Sequence, residues 1–269
     1  MCGIVGAVTE RRVRNILLEG LQRLEYRGYD SAGLATVESD NEILRNRQIG
    51  KVANLVAEVG NLDLHGTIGI AHTRWATHGS VIVENTHPHM SGDNLALVHN
   101  GIIENNQELK AQLQEIGYQF LSDTDSEVIV HLIDSSLKEG ISLAEAVRKS
   151  VKRLDGAYAI AVISTDFPDR IVAARSGCPL VIGKGIGENF VASDVLALQA
   201  VTDRFIFLEE GDLVELTSDT IDIWNVENSS VIRADIKVEV GKDDLDKGRF
   251  RHFMEKEIFA QPEVLKESI

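Results

Sequence analysis

Only two cysteines, Cys2 and Cys178, occur in 269 residues. At most one disulfide can form, and none if Cys2 serves as a nucleophile, which fits a reducing cytosol. Basic residues are in deficit: 27 Lys and Arg face 42 Asp and Glu, a formal charge of -15. Such a surface repels phosphate backbones and anionic membranes, so neither nucleic acid nor a membrane is an expected partner. No apolar run approaches the ~20 residues of a membrane span. No basic start followed by an apolar stretch marks a signal peptide, and the expected location is cytoplasmic. Internal repeats and low-complexity segments are absent. So are HExxH and paired-cysteine spacings, and no metal or cofactor is expected despite His87-Pro88-His89.

What is present is an ordinary globular composition, 43% hydrophobic and 26% charged, long enough for one large domain or two small ones. Cysteine stands at position 2, opening Cys2-Gly3-Ile4-Val5-Gly6-Ala7-Val8. Removal of Met1 would put a free α-amine and a thiol on one residue. An amine of pKa ~7.7–8.0 accepts a proton near neutrality, and a thiol at ~8.5 needs little help to ionise. An adjacent amine is a known activator of a side-chain nucleophile. A lone cysteine is also a small buried apolar residue.

Residues 2–8 read as a buried strand. Val13, Ile16, Leu17, Leu21 and Leu24 give helical spacing over 12–25. Strands are expected at 34–37, 43–48, 67–72 and 94–99, with a short helix at 51–59. Helices follow at 105–116, 125–138 and 143–153, the second opened by a Thr124/Glu127 capping box. From Ala157 the chain is rich in short strands separated by turns. Strands grouped with strands and helices with helices predict layers, two antiparallel sheets covered by helices. Gly183-Lys184-Gly185-Ile186-Gly187-Glu188 resembles a phosphate loop but lacks its Lys-Ser/Thr ending, and reads as a hairpin turn. A polar linker is expected at 241–248, then a helical piece, Phe253 to Ala260, stopped by Gln261-Pro262.

Four polar clusters accompany Cys2. Arg74, within His72-Thr73-Arg74-Trp75-Ala76-Thr77-His78-Gly79, suits a bidentate grip on a carboxylate, or is a solvated loop residue. Asn100 and Gly101, after His99, supply the two donors of an oxyanion hole, or form a hairpin turn. Asp125 at a helix start could hold an ammonium, or simply favour the helix dipole. Arg27-Gly28-Tyr29-Asp30 is a second pocket wall or a plain turn.

In this order the motifs Cys2-Gly3-Ile4-Val5-Gly6, Tyr26-Arg27-Gly28-Tyr29-Asp30-Ser31, His72 to Gly79 and His99-Asn100-Gly101 resemble the class II glutamine amidotransferases, a branch of the N-terminal-nucleophile hydrolases. The tyrosines at 26 and 29 set the chain apart from the amidophosphoribosyltransferase branch, which has His and Gln there. The resemblance covers essentially the whole chain. It implies an α+β, four-layer αββα sandwich of two antiparallel sheets, with residues 1–240 as a glutaminase domain. Residues 241–269 would be a linker and the start of a sugar-phosphate isomerase half.

The resemblance also implies roles. Cys2 attacks the amide carbon of L-glutamine, Asn100 and the Gly101 N–H stabilise the oxyanion, and Arg27 supports the Cys2 end. Arg74 clamps the α-carboxylate, assisted by Thr77 and His78, while Asp125 holds the ammonium and Trp75 covers the pocket. The implied partners are L-glutamine and the synthase half, with a homodimer for the full enzyme. Other acceptors for the ammonia, a free-standing glutaminase or an inert glutamine-binding domain are compatible with the same residues.

Overall fold

The computed structural model describes residues 2–76, 79–238 and 253–267. Met1, Thr77, His78 and the expected linker at 241–248 lie outside the described residues. The chain divides into two compact units, Met1–Lys237 and Val238–Ile269.

The first unit opens with β1 (Gly3–Thr9), α1 (Arg14–Leu24), β2 (Ser31–Val37), β3 (Ile43–Ile49), α2 (Val52–Val59), β4 (Ile68–Arg74), β5 (His89–Ser91) and β6 (Leu95–Ile103). Three helices follow, α3 (Asn106–Glu115), α4 (Ser126–Leu137) and α5 (Leu143–Val151). The rest is β7 (Gly156–Ser164), β8 (Phe167–Ser176), β9 (Val181–Lys184), β10 (Glu188–Ala192), β11 (Arg204–Phe207), β12 (Leu213–Leu216), β13 (Ile221–Trp224), β14 (Ser230–Val231) and β15 (Asp235–Lys237).

These strands build two sheets, ordered β15-β11-β9-β10-β1-β4-β2-β3 and β14-β13-β12-β8-β7-β6-β5. Their named pairings are antiparallel. Ile4, Val8 and Ile70 of the first sheet meet Val98, Ala161 and Ile171 of the second in the core between them. On the far side of the second sheet, Leu97, Ile160 and Val162 pack against Ile129 and Ile133 of α4 and Val147 of α5. Helix α1 covers β1 and β4, and α2 covers β2 and β3. The result is an αββα sandwich. Strand β1 is covered on both faces, which explains why its sequence is continuously apolar rather than alternating.

Helix α1 buries Ile16, Leu17, Leu21 and Leu24 at the expected spacing. Ser142 caps α5, its side chain accepting the Glu145 N–H. The 183–188 segment is the β9–β10 hairpin, closed by a Gly185 N–H to Glu188 carbonyl bond at 2.9 Å.

Two expectations need correction. The Thr124/Glu127 capping box does not form. Glu127 instead accepts the Leu121 and Ser122 N–H groups at 2.9 and 2.7 Å, outcompeting a cap with backbone donors of the preceding loop. Thr124 pairs with His89 and Ser122. In the second unit, α6 (Phe253–Glu267) runs through Pro262. Proline there removes one N–H donor, yet its fixed φ is helical, and the helix continues beyond it.

Candidate active site

The register of the first sheet carries the nucleophile to the strand ends that hold its neighbours. β1 pairs with β4 through Gly3↔Thr73, and β2 meets β4 through Ser31↔Arg74. Cys2 therefore lies beside the last residues of β4. The Trp75 N–H donates to Cys2 Sγ at 3.2 Å. From the other sheet, Asn100 on β6 donates its Nδ2–H to the Cys2 carbonyl at 3.2 Å, joining the sheets at the nucleophile.

Cys2, Arg74, Trp75, Gly101 and Asp125 line one small pocket, together with His87, His99, Thr124 and Ser126. Its cavity volume is about 30 Å³. Sequence motifs separated by up to 123 positions thus share one wall-to-wall site. Gly101 has φ +133°, and a Cβ there would sit 1.9 Å from the Ala157 carbonyl oxygen, so only glycine fits beside β7.

Arg74 is buried, 4% exposed, not a solvated loop residue. Asp30 holds it: Oδ1 lies 3.7 Å from Arg74 Nη1, while Oδ2 accepts the Ala76 N–H. Asp30 N–H also donates to the Arg74 carbonyl at 2.7 Å. Asp125 precedes α4 and accepts the Ile103 N–H at 2.8 Å, which pins the carboxylate between α4 and β6. Trp75 is 51% exposed, with its ring laid over Gly28. Arg27 is not among the described residues that line the pocket. Its guanidinium pairs with Asp194, whose neighbour Ser193 bonds both backbone groups of Ile4, two residues beyond Cys2. Its support of the Cys2 end would run through that loop.

Burial pushes the Cys2 thiol up, outweighing the Trp75 N–H and Arg74, which lower it. His87 and His99 of the pocket wall belong to a group of buried histidines. His72 stacks on His87 at 4.1 Å between ring centroids, and His87 meets His89 edge-on at 4.6 Å. Ser126 Oγ lies 2.9 Å from both His87 Nε2 and His99 Nδ1. Burial depresses all four, His72 and His89 to about 3, so each is neutral at pH 7. Among the described residues no group of three or more His, Cys, Asp or Glu has metal-holding geometry.

Sequence reasoning left three contributors without a role: Asp30, Ser126 and the buried histidines. The signal for Asp30 was its place in the Arg27–Asp30 cluster. The histidines were visible as five within His72–His99, and polarity alone did not show that burial would keep them neutral.

One pocket of the αββα sandwich thus carries Cys2, the buried Arg74, Gly101 and Asp125, with Asn100 bonded to the Cys2 carbonyl. Residues 72–200 match the glutamine amidotransferase domain family, and the chain carries a glutamine amidotransferase domain. Over its whole length it is 56% identical to glutamine–fructose-6-phosphate aminotransferase (isomerizing) of Pseudomonas putida and 54% identical to that of Pseudomonas aeruginosa. It spans 44% of each of those relatives, less than half their length. Among solved structures, glutamine phosphoribosylpyrophosphate amidotransferase from B. subtilis, complexed with ADP and GMP, aligns with a TM-score of 0.72 at 26% identity. That alignment covers 84% of this chain and 49% of the other. Among the described residues no helix is long and apolar enough to cross a membrane.

Proposed function

We propose that this domain hydrolyses L-glutamine to glutamate and ammonia through a thioester on Cys2. The observation that carries the reading is the pocket that brings Cys2, Arg74, Gly101 and Asp125 together, with Asn100 bonded to the Cys2 backbone. A zwitterionic amino acid needs one cation and one anion at fixed separation, and Arg74 and Asp125 supply them for its carboxylate and ammonium.

With Met1 removed, the free α-amine takes the thiol proton as Sγ bonds to the amide carbon. Asn100 Nδ2–H and the Gly101 N–H stabilise the tetrahedral oxyanion. The same amine returns the proton to the leaving nitrogen, the C–N bond breaks, and ammonia departs. Water then adds to the thioester, and the C–S bond breaks to release glutamate and the thiol. A thiol raised by burial is not a standing thiolate, so a base at the moment of attack is required. A cavity of about 30 Å³ holds on the order of two waters. Glutamine enters only when a wall yields, and Trp75, exposed at the rim, is the wall with room to move. Thr77 and His78 assist the carboxylate grip in this reading.

By likeness to the longer relatives, the ammonia passes to fructose 6-phosphate in a synthase half, yielding glucosamine 6-phosphate in a homodimeric enzyme. Residues 1–240 are then the glutaminase domain and 241–269 the passage to the synthase half. Glutamate release by protein whose intact mass shows Met1 removed tests the hydrolysis. Turnover lost in Cys2→Ala with the fold retained supports it, and no turnover from Met1-free, folded protein overturns it.

A further inference from the structure

We infer that His72 is a positioning residue for Asn100, its Nε2–H holding the amide with the NH₂ group toward Cys2. The inference rests on the hydrolase reading above, in which that NH₂ group meets the oxyanion. The orientation follows from one acceptor that has no choice. The Cys2 carbonyl can only accept, and the Asn100 amide reaches it at 3.2 Å, so the facing atom is Nδ2. Oδ1 then faces away, 2.9 Å from His72 Nε2. An amide oxygen there demands a donor, so Nε2 carries the hydrogen.

His72 Nδ1 is buried without a hydrogen-bond partner among the described residues. A bare lone pair there is better tolerated than an orphaned N–H. The ring is 1% exposed, in mid-sheet on β4 opposite Ile4 and Gly33, and stacked on His87. It can neither reach substrate nor turn. One Nδ2 hydrogen serves the Cys2 carbonyl, leaving the second for the developing oxyanion. Without His72 the amide is free to flip and present Oδ1, an acceptor, where a donor is required.

The test compares Met1-free wild type, His72→Phe, His72→Gln, Asn100→Ala and the His72→Phe/Asn100→Ala pair by steady-state glutamate release. Phenylalanine keeps a ring without the donor, whereas the glutamine amide nitrogen reaches the place of Nε2. His72→Phe is expected to lose ~10–100-fold in kcat, short of the ~10²–10³ for deleting an oxyanion donor outright. KM should stay within about threefold, because ground-state binding does not use this bond. Glutamine should restore most of the rate, and in the Asn100→Ala background His72→Phe should cost nothing further.

A kcat within twofold of wild type, or an equal loss in both backgrounds, overturns the inference while leaving the hydrolase reading intact. An inactive wild type overturns the reading itself. Should the Phe variant fail to fold, His72→Asn, too short to reach Oδ1, replaces it in the comparison with Gln. Nitrogen-15 NMR of the histidine ring gives a second readout independent of turnover. It should find His72 protonated at Nε2 at neutral pH, and an Nδ1–H tautomer overturns the inference.

Discussion

Trp75 and Cys2 are tied through the sulfur: the Trp75 N–H donates to Sγ at 3.2 Å, and the Trp75 carbonyl lies 3.5 Å from the same atom. The donor favours thiolate and burial disfavours it, and burial wins. Alkylation of Cys2 by iodoacetamide should therefore rise with pH at a midpoint above the ~8.5 of an ordinary cysteine. Peptide mass spectrometry separates Cys2 from Cys178, and the urea-unfolded chain supplies the reference. A midpoint at or below that of the unfolded chain would contradict the balance of effects.

Asp125→Asn should raise KM for glutamine by ~10–100-fold, the worth of one charge-assisted hydrogen bond of roughly 1.5–3 kcal/mol. The fold should be almost unaffected. The bond that Asp125 makes is accepted from the Ile103 N–H, and an asparagine oxygen accepts it too. Denaturant midpoints and Michaelis curves on the same preparations check both halves. Equal loss of stability and activity would place the carboxylate in the scaffold rather than the pocket.

Acid should destabilise this domain earlier than its carboxylates alone would dictate. His72 and His89 are pushed down to about 3 by burial, and His87 and His99 are lowered as well. In the unfolded chain each binds a proton near ~6.5, so the unfolded state holds more protons below that pH. Stability is therefore full above ~6.5 and falls toward pH 3, at ~1.4 kcal/mol per pH unit for each histidine that stays neutral. Glu127, held near 2 although burial opposes it, by His131, Leu121 and Ser122, adds a loss in the same direction below ~4.3. Urea unfolding at pH 7.5, 6 and 5 measures the slope, and a flat profile would mean the histidines protonate in the folded state.

The layers were legible because period and grouping were strong. The apolar Gly3–Thr9 run, the 12–25 helical stripe and the string of short strands after Ala157 each describe one surface buried in one way. Strands β5, β14 and β15 were not legible, being two or three residues long and partly polar, with pairing rather than pattern holding them. Chemistry marked Cys2, Arg74, Asn100, Gly101 and Asp125 as candidates with plainer structural alternatives, and the resemblance to class II glutamine amidotransferases selected them. Their convergence depends on register, Gly3 opposite Thr73 and Ser31 opposite Arg74, which composition does not carry. Asp30 and His72 touch other site residues rather than the pocket, so no reactive signature announced them. The capping box failed because Glu127 found two backbone donors outside its helix, a tertiary effect that local pattern cannot weigh.

Gly28 sets the resting place of the Trp75 ring, and Gly28→Ala should dislodge it. Gly28 has φ +100°, where side chains are rarely found, and a Cβ would fall 2.2 Å from two carbons of the Trp75 ring. The backbone strain alone is worth on the order of 1–3 kcal/mol. The ring is a movable neighbour on an exposed rim, so it should give way before the strand does. Two tryptophans occur in the chain, and a Trp224→Phe background leaves Trp75 as the one emitter. In that background Gly28→Ala should red-shift the emission as the indole leaves Gly28 for water, and lower the melting temperature. If Trp75 forms the wall that closes over glutamine, KM should rise with the shift while Cys2 alkylation proceeds faster through a more open pocket. A red shift with unchanged KM would leave Trp75 at the rim without a part in holding substrate.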